Sequence, residues 1–257
     1  MDLGLNGRTA LVCASTDGLG EAIARALGAE GANVVVSGRR EERARAVAAD
    51  LPSAVGVQVD LLSPEGPQAL YQAAVDAFGG VDVLVLNGPG PKPGRAVDVT
   101  PEGLEDSFRR LLLPQQTLVS LALPRMREQK WGRILAVGSS GVVEPIKGLV
   151  LSNIGRAALA GYLKTLSAEV AADGITVNML LPGRIATQRV AQLDQAAAER
   201  SGSSVEDVAD SAAAAIPARR YGDPAEFGAV GAFLCSARAS YVTGTAVRCD
   251  GGLVGSL

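Results

Sequence analysis

The sequence has no histidine among its 257 residues. That removes every Ser-His or Cys-His nucleophile pair and every histidine-ligated metal site. Cysteine is scarce as well. Cys13, Cys235 and Cys249 lie far apart and are odd in number, which suits neither a disulfide framework nor paired zinc ligands and predicts buried structural thiols. No metal site is expected. No uninterrupted apolar run approaches the roughly 18 residues of a membrane span, and the first residues carry Asp2 in place of a basic leader with a long apolar stretch. A cytoplasmic chain without a membrane partner is the expectation. Positive charge is not in surplus: the net charge is −3 and the pI about 5.2, so nucleic acid is not an expected partner.

What is present is core. Apolar residues make up 47% and charged residues 20%, a globular balance for a single α/β domain spanning residues 1–257. Short runs rich in Val, Ile and Leu recur, each followed by a segment of helical spacing, the pattern of βαβ units in a parallel sheet. Seven strands are predicted, at 9–13, 33–36, 55–59, 81–86, 133–137, 176–180 and 246–249. That order suits a doubly wound sheet flanked by helices. Pro64-Glu65, Pro101-Glu102 and Pro224 mark helix starts. The Ala-rich stretch of about 188–218, broken at Ser201 to Ser204, interrupts the rhythm and is expected to be a helical substrate lid, the alternative being a surface helical hairpin.

The first strand runs into Ala14, Ser15, Thr16, Asp17, Gly18, Leu19 and Gly20 before a helix opens. Small residues at 14, 18 and 20 permit a tight turn, backbone amides close to a pyrophosphate, and helix packed on strand. The second strand ends in Arg39 and Arg40. An acid there would bond a ribose 2′-hydroxyl, whereas guanidinium groups favour a 2′-phosphate, so NADP(H) is expected over NAD(H). Asp17 is an unfavourable neighbour for that phosphate. Asp60, followed by Leu61, closes the third strand and is placed to accept a bond from an adenine amino group.

These residues, with Asn87 and Gly88, Gly132 to Ile134, Gly138-Ser139, Thr176 to Gly183, Tyr241 to Thr245 and Cys249 to Gly252, resemble the short-chain dehydrogenase/reductase family along the whole chain. The likeness is greatest to its β-ketoacyl-acyl-carrier-protein reductase-like branch. The resemblance implies a seven-stranded Rossmann-type core, a nicotinamide cofactor, a small carbonyl or alcohol substrate and a homotetramer or dimer. It also implies that Pro182, Gly183, Ile185 and Thr187 touch the nicotinamide carboxamide.

The departures concern chemistry. The family's first loop glycine is Ala14, whose methyl is expected to need only a small displacement and to weaken cofactor binding without excluding it. The family's four catalytic positions, Asn, Ser, Tyr and Lys, fall on Leu111, Ser139, Ser152 and Arg156. Only the serine survives. A phenol beside an ammonium group can supply a proton near neutrality, and a serine hydroxyl does so poorly. Ser139, Ser152 and Arg156 remain as donors able to stabilise an oxyanion. Glu144 and Lys147, in the intervening loop, are either substitutes for the acid or ordinary solvated charges. Tyr162, ten residues beyond Ser152, is expected in the core or at an interface.

Three readings follow. The first is a divergent oxidoreductase of this family with an atypical Ser/Ser/Arg site. The second is a non-redox enzyme similar to halohydrin dehalogenases, and the third a catalytically inactive nucleotide sensor.

Overall fold

A computed structural model describes residues 2–256. Strands β1 (Thr9–Val12), β2 (Asn33–Gly38), β3 (Ala54–Gln58), β4 (Val83–Leu86), β5 (Gly132–Val137), β6 (Ile175–Pro182) and β7 (Ala246–Cys249) form one seven-stranded sheet in the order β3-β2-β1-β4-β5-β6-β7. Every pairing is parallel. All seven sequence-predicted strands are present, with ends shifted by up to two residues.

Parallel strands covered on both faces need apolar side chains on both sides, and period-two alternation deals them out. Ala10 and Val12 of β1 face one layer, formed by α1 (Gly18–Ala29), α2 (Glu41–Ala49) and α9 (Pro224–Leu234) and filled by Ile23, Leu27, Val47 and Phe227. Leu11 and Cys13 face the other, formed by α3 (Gly66–Phe78), α5 (Leu113–Glu128) and α6 (Val150–Val170), with Leu70, Leu118, Met126, Leu159 and Leu163. Each such fully buried side chain contributes about 1.5–3 kcal/mol relative to exposure. Cys13 and Cys235 are completely buried, and burial pushes both thiols up to about 12. They are inert core residues. Tyr162 lies half-buried against the second layer, its phenol raised by burial and by Glu169.

Two helix boundaries differ from the sequence expectation. Helix α3 starts at Gly66 with Pro67 in its first turn, because residues 60–66 form successive tight turns in which Ser63 N donates to Asp60 O and Gly66 N to Ser63 O. The predicted fourth helix is two helices, α4 (Pro101–Leu111) and α5, broken at Leu112. Pro114 has no amide hydrogen and its ring opposes the carbonyl four residues earlier, so the helix restarts there. The fifth predicted helix is therefore α6. The 188–218 segment is α7 (Gln188–Ser201) and α8 (Val205–Ala214), separated where Gly202 takes a left-handed conformation and Ser204 caps α8. Among the described residues no helix is long and apolar enough to cross a membrane.

Candidate active site at the sheet's carboxyl edge

Strand order reverses between β1 and β4, and the loops leaving these neighbours diverge to opposite faces, opening a crevice at their carboxyl ends. A cavity of about 650 Å³ occupies it. Of the predicted cofactor residues, Ala14, Thr16, Arg39, Arg40, Asp60, Leu61, Asn87 and Gly88 line this cavity together. Gly18 and Thr187 line an adjoining space of about 500 Å³, and the Thr187 methyl lies 3.5 Å from the position a Gly18 Cβ would take. Asp17, Arg110 and Pro89 also line the main cavity. The last two were missed, although Arg110 immediately precedes the position already matched to the family's asparagine.

The glycine loop keeps its shape despite the alanine. Ala14 has φ +46°, so the chain retains the left-handed conformation and the methyl strains it, where a small displacement had been expected. Gly20 admits no side chain: a Cβ would meet the Ala14 carbonyl and lie 2.9 Å from Asn87 Nδ2. Ser15 is turned inward. Its N–H donates to Ser37 O at 2.8 Å, and its Oγ donates to Val12 O at 2.7 Å and accepts from Ser37 N at 2.9 Å, so it has no donor left for a phosphate. Leu19 packs on the α1 core layer. Asp17 caps α1 by position but makes no side-chain cap bond, which leaves first-turn amides open to an anion.

Arg39 and Arg40 are exposed at the crevice mouth and form no ion pair among the described residues, unlike Arg25 and Arg45, which both pair with acids. Asp60 commits Oδ1 to Leu62 N at 3.0 Å, while the Leu61 side chain belongs to the core. The cavity and the glycine cradle fit a dinucleotide, with the two unpaired guanidinium groups at the mouth.

The β6 exit holds the remaining predicted residues. Pro182 ends β6, Gly183 N donates to Cys249 O at 3.0 Å, and Ile185 is 3% exposed, packed where a Gly222 Cβ would otherwise sit. The Ile185 side chain therefore belongs to the core, and Ile185 is not among the residues lining the crevice. Thr187 caps α7 by accepting from Val190 N. Sequence reasoning also missed a clasp on this segment. Arg184 Nη1 pairs with Asp194 Oδ1 at 2.5 Å, and the Tyr221 hydroxyl donates to Asp194 Oδ2 at 2.9 Å. A single aspartate in an Ala-rich helix gave no signal for it.

The positions matched to the family's catalytic Ser, Tyr and Lys lie just after β5 and on α6. Ser139 follows β5, and its Oγ accepts from Gly141 N at 3.1 Å. Ser152 and Arg156 lie one turn apart on α6. Arg156 Nη1 donates to Val137 O at 2.9 Å, which ties the guanidinium to the strand end carrying Ser139. It has no acidic partner among the described residues, and burial lowers it to about 10, still a cation at neutral pH. Leu111 is 3% exposed and packs at Gly155, where any Cβ would lie 2.8 Å from Leu111 Cδ1. An apolar contact thus replaces a polar position. Glu144 and Lys147 are exposed, as solvated loop charges would be. The main cavity ends at Asn87 to Pro89, and its lining does not include Ser139, Ser152 or Arg156.

Comparison with known proteins agrees with this geometry. Residues 13–254 match a family model described as enoyl-(acyl carrier protein) reductase. The chain belongs to the short-chain dehydrogenase/reductase family. Dehydrogenase/reductase SDR family member 4 of Sus scrofa is 35% identical, over 98% of this chain and 89% of the relative. The 3-oxoacyl-acyl-carrier-protein reductase FabG of Aquifex aeolicus is 31% identical, over 98% of this chain and 100% of its own length. The crystal structure of L-sorbose reductase from Gluconobacter frateurii, complexed with NADPH and L-sorbose, superposes with a TM-score of 0.94 at 31% identity, covering 100% of both chains.

Proposed function

We propose that this chain is an NADP(H)-linked oxidoreductase that interconverts a small carbonyl compound and its alcohol, with Ser139, Ser152 and Arg156 holding the reacting oxygen. The observation that carries the reading is the cavity at the β1/β4 crossing, where Arg39 and Arg40 stand without acidic partners. Two guanidinium groups at the end of β2 favour a 2′-phosphate over a free 2′-hydroxyl. The neighbouring structure with L-sorbose was obtained with NADPH, which supports the same choice here.

Bound in this crevice, the nicotinamide supplies or accepts a hydride. The chain's own residues then manage charge. As a carbonyl carbon gains hydride, its oxygen becomes anionic, and two hydroxyls and a fixed cation are suited to stabilise it. Arg156 does so as a permanent charge held by Val137 O. It does not give up a proton at neutral pH. Ser139 and Ser152 orient the oxygen as neutral donors, and the proton that completes the alcohol comes from water. The α7–α8 hairpin excludes bulk solvent as a lid, and the family's homotetramer or dimer is retained.

One observation favours a second reading. The cavity stops short of Ser139, Ser152 and Arg156, as in a protein that binds the nucleotide without turnover. A fluorescence titration with NADPH and NADH, repeated on Arg39→Ala, tests binding; a screen of carbonyl substrates for NADPH oxidation tests turnover. NADPH binding that weakens in Arg39→Ala, with turnover of any carbonyl, upholds the oxidoreductase. Binding without turnover moves the weight to the sensor, and no binding of either nucleotide sinks both.

A further inference from the structure

Arg110 is a residue neither composition nor the family resemblance singled out. It sits in the last turn of α4 and lines the main cavity together with Asp60 and Leu62, which follow β3, and Gly88 and Pro89, which follow β4. Resting on the cofactor reading above, we infer that Arg110 binds the adenine of the dinucleotide, with its guanidinium plane laid against the ring face.

The side chain is prepared for that role. Its Nε donates to Asp106 Oδ2 at 2.6 Å, while its two terminal nitrogens have no acceptor among the described residues. Asp106 is shared with Arg109, whose Nη2 meets Oδ1 at 2.5 Å, so one carboxylate faces two cations and the local charge stays positive. The backbone is fixed as well. Ser107 Oγ donates to Leu151 O at 2.6 Å, and Leu111 is locked against Gly155. A clamped planar cation loses little rotamer freedom on binding, which a free arginine would.

The surroundings select the ligand's chemistry. Leu62 and Pro89 present apolar surface, and Asp60 keeps one carboxylate oxygen after bonding Leu62 N. A flat, partly apolar ring with an amino edge satisfies both, and a purine is such a ring. Guanidinium planes stack on aromatic faces, and bases stack without needing a particular hydrogen-bond code. Arg39 and Arg40, which follow β2 and line the same cavity, are left to the 2′-phosphate. The two arginine sets should therefore separate in a binding experiment: Arg110 acts on every adenine nucleotide, Arg39 on those with the extra phosphate.

The test is calorimetric and fluorescence titration of the full chain with 5′-AMP, NADH, NADPH and nicotinamide mononucleotide, using wild type, Arg110→Met and Arg110→Lys. Arg110→Met is expected to weaken 5′-AMP, NADH and NADPH by the same factor, about tenfold. Binding of nicotinamide mononucleotide should not change, which also reports an intact fold. Arg110→Lys, with charge but no plane, should recover less than half of the loss on a logarithmic scale. Unchanged 5′-AMP binding in Arg110→Met would overturn the inference while leaving the cofactor reading in place, as would a loss confined to NADPH or full recovery by lysine. Failure of the wild type to bind any adenine nucleotide would overturn both. If Arg110→Met does not fold, Arg110→Gln gives the same comparison with a neutral planar group, and 5′-AMP binding within twofold of wild type then supports stacking by the plane.

Discussion

Asn87 and Ala14 are joined across the opening of the sheet: Asn87 Nδ2 donates to the Ala14 carbonyl at 3.2 Å. The bond ties the end of β4 to the turn after β1, the two strands between which the crevice opens. It holds Ala14 in a conformation that an L-residue with a Cβ resists, φ +46°.

Replacing the alanine should therefore relieve strain. Ala14→Gly gains the left-handed conformation at no steric cost, and gives back part of the gain because glycine is freer in the unfolded chain. The expected net stabilisation is about 0.5–1 kcal/mol, or a Tm rise of about 1–4 °C for a chain of this length, read by thermal melting. Nucleotide affinity should rise with it. A lower Tm would mean that the loop is not strained at this position.

The sheet was legible because fully buried parallel strands write themselves as short Val, Ile and Leu runs, so β2 or β5 can hardly be read otherwise. The crevice was legible for the same reason: Asn87, Arg39 and Thr16 sit at strand ends whose order is set by the fold. Pro114 was visible in sequence, but nothing local says whether a proline begins a helix or breaks one, and the α4/α5 restart was missed for that reason. The inward turn of Ser15 depends on Ser37, which lies on another strand. Asp194 is a surface residue by composition and buried in fact, because its partners Arg184 and Tyr221 come from loops on either side of the α7–α8 pair. Tertiary pairings of that kind leave no periodic trace.

The position matched to the family's asparagine carries a packing constraint that argues against simple restoration. Leu111→Asn would place an amide among α6 contacts, with Leu111 now 3% exposed and Gly155 against it. An unpaired buried polar group plus lost apolar contact costs about 2–4 kcal/mol. Thermal melting should show a Tm drop of roughly 5–15 °C with no gain in turnover. A stable Leu111→Asn with higher activity would show that the helix break can open to water.

The Arg184–Asp194–Tyr221 clasp should govern how α7 closes over the β6 exit. The Tyr221 phenol is raised by burial and then by its bond to Asp194, so it stays a neutral donor at physiological pH. Tyr221→Phe removes one hydrogen bond, about 1 kcal/mol. Asp194→Ala leaves both partners without an acceptor; because the Arg184 side chain is 37% exposed and can turn to water, a cost of about 1–3 kcal/mol is expected. Hydrogen exchange across 188–201 should accelerate in both variants, more in Asp194→Ala, while the β1 and β4 amides keep their protection. Uniform acceleration over the whole chain would mean global destabilisation and no separate lid.

Arg156 separates the catalytic reading from a structural one by pH as well as by mutation. Burial lowers its guanidinium to about 10, so the charged form is disfavoured by folding and Arg156→Met should leave Tm unchanged or raise it slightly. Turnover, if the cation stabilises the reacting oxygen, should fall about 10²–10³-fold in the same variant. The sign of the pH effect follows. Below about 10 the residue is charged and the wild-type rate should be flat from neutrality upward, because no phenol titrates in the site; through about 10 the charge is lost and the rate should decline. Folding stability moves oppositely, rising over that interval as the buried charge disappears. A rate limb near neutrality in the wild type would reveal another acid, and equal losses of Tm and turnover in Arg156→Met would assign the arginine to packing alone.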